Sequence, residues 1–219
     1  MLDYGLKWPD KKYPVIVADP PWNFKTFSNK GEGRSAEQHY PCMNRKEVME
    51  LPVASLAQDA AVLFLWTTPQ DMDFAINTVI PSWGFIYKTT GFTWLKTKKS
   101  LEETFLPAFN QWKQGETPDF IDVINYSFVV TKGYYTRKQS EICLIGTTKK
   151  TLSRSNKGVR EIIVAPRREH SRKPDEIYNR IEALYSPEDG FDYIELFARA
   201  TGRPYWDSWG LETEKFSIE

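Results

Sequence analysis

The chain has 219 residues, 41% hydrophobic and 26% charged, a size and balance that suit one α/β catalytic domain over residues 1–219. No run nears the ~20 apolar residues of a membrane helix, no basic-then-apolar start marks a secretion signal, and two cysteines with two histidines are too few for a disulfide framework or a zinc or iron site. A cytoplasmic protein with no metal and no membrane contact is expected, and its 29 basic and 29 acidic residues cancel.

In chain order, Pro14-Val15-Ile16-Val17-Ala18 and Ala60 to Trp66 are short continuous apolar runs, as in parallel strands buried on both faces. Between them Asn44-Arg45-Lys46-Glu47 opens a helix carrying Val48, Leu51 and Leu56. Met72, Ala75, Ile76 and Val79 recur at helical spacing and Pro81 is expected to stop them. Residues 84–94, 127–131, 141–146 and 161–165 read as strands, the last ended by Pro166. Residues 98–125 show no firm period and read as an insertion or a substrate-facing loop. Pro174 suits a first helical position, Asp175 and Glu176 favour the positive end of the dipole, and Ile177, Ile181, Leu184 and Tyr185 share an apolar face. Residues 191–197 form a last strand. This alternation implies a doubly wound, mostly parallel sheet with helices on both faces.

Charge is unevenly spread along that order. From Lys132 to Lys173 twelve Lys or Arg meet three Glu, a local +9 balanced by −9 elsewhere. A polyanion would dock on such a segment, with its centre of interest between Lys149 and Arg168; scattered solvated faces are the plain alternative.

The chemistry concentrates at Asp19-Pro20-Pro21-Trp22, directly after the first strand, where an open α/β sheet binds ligands. Two prolines stiffen the turn and remove two amide donors, which leaves one carboxylate, bare carbonyls and a large aromatic face. An aromatic amine is a poor nucleophile because its lone pair is conjugated. Hydrogen bonds from both its hydrogens, to Asp19 and to the Pro20 carbonyl, favour the pyramidal form that attacks. Trp22 offers a stacking surface for a base, worth about 1–3 kcal/mol.

Ala18-Asp19-Pro20-Pro21-Trp22 resembles the catalytic motif of the MT-A70-type adenine N6-methyltransferases, a permuted, β-class branch of the amino-methyltransferases. The resemblance continues through His39-Tyr40-Pro41 with Met43, Leu63-Phe64-Leu65-Trp66-Thr67, Trp94-Leu95-Lys96, Gly133-Tyr134-Tyr135-Thr136-Arg137 with Glu141-Ile142-Cys143-Leu144, His170-Ser171-Arg172-Lys173-Pro174-Asp175-Glu176, Glu195-Leu196-Phe197-Ala198-Arg199 and Trp209-Gly210. It implies a Rossmann-like methyltransferase fold, S-adenosyl-L-methionine as cofactor, and methyl transfer to N6 of adenine in nucleic acid, DNA favoured over RNA. By position, Asp19, Pro20, Pro21 and Trp22 would be catalytic and Tyr40 would hold the base. Lys173 would meet the cofactor's carboxylate, Phe197 and Arg199 would line the adenosine pocket, and Glu212 would hold a ribose hydroxyl. Ordinary packing is the alternative for Tyr40 and Phe197, and a solvated helix start for Lys173. Two departures stand out: Leu211 replaces a polar residue of the family's Trp-Gly-Asn motif, and Ala200-Thr201-Gly202-Arg203 replaces polar residues of some relatives. Glu141 is expected to orient Arg137 or a backbone amide.

Other readings are a non-catalytic or partner-dependent subunit that grips nucleic acid, and a cytosine N4-methyltransferase. A nicotinamide-dependent oxidoreductase is disfavoured because no Gly-x-Gly-x-x-Gly follows the first strand. Assembly as a homo- or hetero-oligomer is left open.

Overall fold

The computed structural model describes residues 6–22, 42–98, 101–116, 124–125, 127–131, 135–169 and 172–216. Among these residues seven strands form one sheet in the order β5-β3-β4-β2-β1-β6-β7, where β1 is Tyr13–Ala18, β2 Ala57–Thr67, β3 Ile86–Thr97, β4 Ser140–Thr147, β5 Ile162–Pro166, β6 Tyr193–Leu196 and β7 Trp206–Trp209. All pairings are parallel except those of β4, which runs against both β2 and β3. The expected mostly parallel sheet is present. The reversal of one central strand is what periodicity did not reveal, since a buried strand reads the same in either direction.

The apolar runs are strands because both their faces are covered. Ile16 and Ala18 of β1 join Leu63 and Leu65 of β2 in one core, closed by Val48 of helix α1 (Arg45–Met49) and by Ala75, Val79 and Ile80. Val15, Val17, Val62, Phe64 and Trp66 face the other way, against Ile177 and Ile181 of the C-terminal helix and Tyr185 just after it. Helices thus lie on both faces of the sheet. Asn44 caps α1 with a capping box: its side chain accepts from the Glu47 amide, and Glu47 accepts from the Asn44 amide.

Pro81 does not stop its helix. The run is α-helical over Met72–Phe74 (α2), π-helical over Ala75–Val79 and α-helical again over Ile80–Ser82 (α3). The wider turn just before Pro81 makes room for its ring and its missing donor. Gly84, at φ +83°, turns the chain out of the helix into β3. Residues 127–131 make isolated bridges, Thr97 to Phe128 and Thr131 to Lys138, rather than a strand. Residues 98–125 contain a helix, α4 (Leu101–Lys113), whose period is masked by Pro107 in its interior; Leu106, Phe109 and Trp112 on it are exposed. The last helix, α5, is Glu176–Leu184 with Asp175 as its N-cap residue, so Pro174 lies before the helix rather than opening it. Among the described residues no helix is long and apolar enough to cross a membrane.

Candidate active site

β1 delivers Asp19 at its carboxyl end, and the neighbouring strands deliver their ends beside it. Thr67 ends β2 and Thr68 follows it, Phe197 follows β6, and Glu141 enters β4 at the same edge because that strand runs the other way. Together they wall an open cleft of about 910 Å³, a figure that includes the solvent space at its mouth.

Asp19, Pro20, Pro21, Trp22, Lys173, Phe197, Arg199 and Glu212 all line this one cleft, although they are spread over 194 positions of the chain from first to last. Tyr40 lies outside the described residues. Two expectations for the catalytic turn need correcting. Its carbonyls are not bare: Pro20 accepts from the Trp22 amide at 2.8 Å and Pro21 from the Met43 amide at 2.9 Å. Each retains a second lone pair for a ligand. Nor is Trp22 an open platform. Its ring is 5% exposed, sits in the core, and its indole N–H donates to the Trp66 carbonyl at 3.1 Å. The tryptophan pins the turn to the end of β2.

Lys173 is not a solvated helix-start residue. It is buried, 2.5 Å from Asp19 and 3.2 Å from Glu141, with its ammonium 5.1 Å from the centre of the Trp66 ring. Glu141 does not pair with Arg137; its other partner is Lys96, from the end of β3. The result is a row of alternating charges, Lys96, Glu141, Lys173 and Asp19. Desolvation alone would raise the Glu141 carboxyl, yet Lys173 and Lys96 hold it down to about 2. Lys173 is disfavoured by burial, and Asp19 and Glu141 more than restore its charge, so its pKa rises. Asp19 is raised, chiefly by desolvation and further by Glu141, with Lys173 offsetting part of the effect. A carboxyl so placed accepts hydrogen bonds readily and is poised to take up a proton.

The opposite wall is aromatic. Phe197 adopts φ +64°, a conformation rare outside glycine, which turns its ring to meet Trp209 edge-on at 5.6 Å. Gly210 follows, where a Cβ would fall 2.6 Å from the Ala198 carbonyl oxygen and 2.8 Å from its nitrogen, so only glycine permits this approach. Arg199 pairs with Glu212 at 2.7 Å, and Lys215 also pairs with Glu212. Trp8 stacks edge-on against Trp209 at 4.7 Å, which draws Leu6 over the cleft near Leu211.

The MT-A70 family model matches residues 13–119 and 122–212. The chain belongs to the MT-A70 family. It is 32% identical over 229 residues to the type II methyltransferase M.MunI of a Mycoplasma species, covering 96% of this chain and 82% of the relative. It is 30% identical over 205 residues to the human N(6)-adenosine-methyltransferase catalytic subunit METTL3, and 27% identical over 208 residues to the human N(6)-adenine-specific methyltransferase METTL4. Of those two it spans only 28% and 38% of the length. MT-A70 proteins are adenine N6-methyltransferases that take their methyl group from S-adenosylmethionine.

The residues present fit that cofactor. A buried ammonium at Lys173 suits a carboxylate, an aromatic edge at Phe197 and Trp209 suits a purine, and a carboxylate at Glu212, steadied by Arg199, suits a hydroxyl. The sequence did not disclose Lys96 and Glu141 as part of this MT-A70 site. The available signal was that each stands in a motif shared with the family, Trp94-Leu95-Lys96 and Glu141-Ile142-Cys143-Leu144. Glu195 and Tyr178 were also missed. They line a recess behind Asp19 and Lys173, where the Tyr178 hydroxyl donates to Glu195 at 2.9 Å and desolvation pushes Glu195 up to about 7.

Proposed function

We propose that this MT-A70 enzyme methylates N6 of adenine in DNA, with the target amine held at Asp19. The observation that carries the reading is the position of Asp19. It is a half-buried carboxylate at a strand end, anchored on one side by Lys173 and facing a cleft with an aromatic opposite wall. Similarity over 82% of a type II methyltransferase, against 28% of an adenosine-methyltransferase, supports DNA over RNA.

Bound S-adenosylmethionine supplies a methyl group already activated on sulfur. Lys173 would hold its carboxylate, Glu212 a ribose hydroxyl, and Phe197 with Trp209 its purine side. Asp19 accepts one hydrogen of the adenine amine and the free lone pair of the Pro20 carbonyl accepts the other, which frees the nitrogen lone pair for attack. The proton that the nitrogen sheds on methylation goes to Asp19, whose raised affinity suits it to receive one, and then to solvent. Trp22 acts through the turn it anchors. A base in a duplex must be flipped out to reach this depth.

Purified protein incubated with labelled S-adenosylmethionine and matched DNA and RNA substrates, followed by nucleoside mass spectrometry, tests the reading. N6-methyladenine in DNA is expected. N4-methylcytosine, or methylation of RNA alone, would overturn the substrate assignment.

A further inference from the structure

Resting on the nucleic-acid substrate proposed above, we infer that the strand carrying the target base runs along the catalytic-end rim of β4, β3 and β5, with its phosphates on Arg137, Lys138 and Arg167. The structure divides the basic segment that the sequence presents as one. Because β4 is reversed, residues just before it stand at the catalytic end and residues just after it at the far end, until β5 returns the chain to the catalytic end. Arg137 and Lys138 lie just ahead of Glu141, which lines the cleft, and Lys138 is fixed there by the Thr131 amide, which donates to its carbonyl at 2.7 Å. Arg167 follows β5, its amide donating at 3.0 Å to the Thr97 carbonyl at the end of β3.

The centre of the segment is elsewhere. Lys150 bridges to Ala60 and pairs with Asp59 at 3.0 Å. Ala60 lies seven residues before Thr67, about 23 Å from the catalytic end at ~3.3 Å per residue. Arg154 adjoins Ser155, whose amide donates at 2.7 Å to Leu184, the last residue of α5. These cations cannot meet phosphates beside a base held at Asp19.

On the rim itself, Arg168 and Arg172 are committed to Asp175 and Glu169. Arg137, Lys138 and Arg167 have no carboxylate within ion-pair distance among the described residues, and both arginines are exposed. Tyr135, next to them, is 94% exposed, a ring placed to stack on a base rather than to fill a core. From β1 to β5 the rim spans four strand spacings, about 19 Å at ~4.8 Å each, room for several nucleotides beside the target.

Binding of a fluorescein-labelled, mixed-sequence DNA oligonucleotide, followed by anisotropy across a salt series, tests the assignment. Arg137→Glu with Arg167→Glu should weaken binding at least tenfold and flatten log affinity against log salt by roughly 0.7–0.9 for each phosphate no longer neutralised. Lys149→Glu with Arg154→Glu should leave affinity within about twofold and the slope unchanged. Tyr135→Ala should lower affinity without altering the slope. Arg137→Gln with Arg167→Gln, which avoids added repulsion, should show the same slope change. If the far-end pair weakens binding as much as the rim pair, or the rim pair leaves the slope intact, the rim assignment is overturned. A wild-type protein that binds no oligonucleotide at any salt would overturn the nucleic-acid reading beneath it.

Discussion

Two half-buried glutamates flank Asp19 and meet opposite fates. On the β4 side Glu141 lies between Lys96 and Lys173 and stays ionised, its pKa held down to about 2. On the β6 side desolvation of Glu195 outweighs the Tyr178 hydroxyl and the weaker pull of Lys173 and Arg203, and pushes it up to about 7. Desolvation penalises the charge of both, so it cannot explain the difference. Neighbouring cations decide it, and they also decide which side of Asp19 is rigidly charged and which can change its protonation near neutral pH.

The most drastic way to probe this contrast is to remove the group between the two. Asp19→Ala should abolish methyl transfer while the fold survives, checked by turnover beside circular dichroism; more than a small residue of wild-type turnover would remove Asp19 from the chemistry. Next, Lys173→Met would make the β4 side resemble the β6 side, by leaving two shielded carboxylates without the cation that joins them. A loss of about 3–5 kcal/mol of stability at pH 7 is expected in urea denaturation, partly restored by adding Glu141→Gln. A loss under ~1 kcal/mol would show that the row of charges contributes little. Cofactor affinity measured by calorimetry should fall as well.

Glu195→Gln tests the other side through pH. The folded pKa of Glu195 lies above its unfolded value of 4.5, so the folded state keeps a proton that the unfolded state releases. Its contribution is therefore fully present below about 4.5 and is lost as pH rises to about 7, a decline of about 3 kcal/mol. Glu141 contributes in the opposite sense: its stabilisation is present above 4.5 and is lost as pH falls towards about 2. Unfolding curves of Glu195→Gln should be flatter than wild type between pH 4.5 and 7, and the variant more stable at pH 8; an identical pH profile would contradict the assignment. The smallest effect is expected for Tyr178→Phe. Losing one hydrogen bond should cost about 1 kcal/mol and move the Glu195 titration higher, since the hydroxyl favours the ionised carboxylate. A downward shift, read by nuclear magnetic resonance of the labelled side chain, would contradict this.

Features with a local cause were legible in the chain itself. The strands of Val15 to Ala18 and Ala60 to Trp66, the helix opened at Asn44 to Glu47, the apolar face of α5 and the placing of Asp19 at a strand end all follow from short-range patterns of side-chain type. An ordered series of motifs then brought eight site residues to one cleft. Where a proline's effect depended on its surroundings, local reading failed: Pro81 is accommodated by a π turn, and Pro107 hides α4.

Tertiary structure alone decided the direction of β4, and much else followed from it. Strand direction depends on pairing between residues far apart in the chain, and an apolar run carries no mark of it. That reversal put Glu141 beside Lys173 instead of Arg137, gave Glu141 and Glu195 different partners, and sent the centre of one basic segment to the end of the sheet opposite its two flanks. Trp22, similarly, has the composition of a stacking platform, and its burial against Trp66 makes it a support for the turn. Residue type in the sequence determined which chemistry was available; non-local packing, through distance and desolvation, determined which groups meet and what charge they carry.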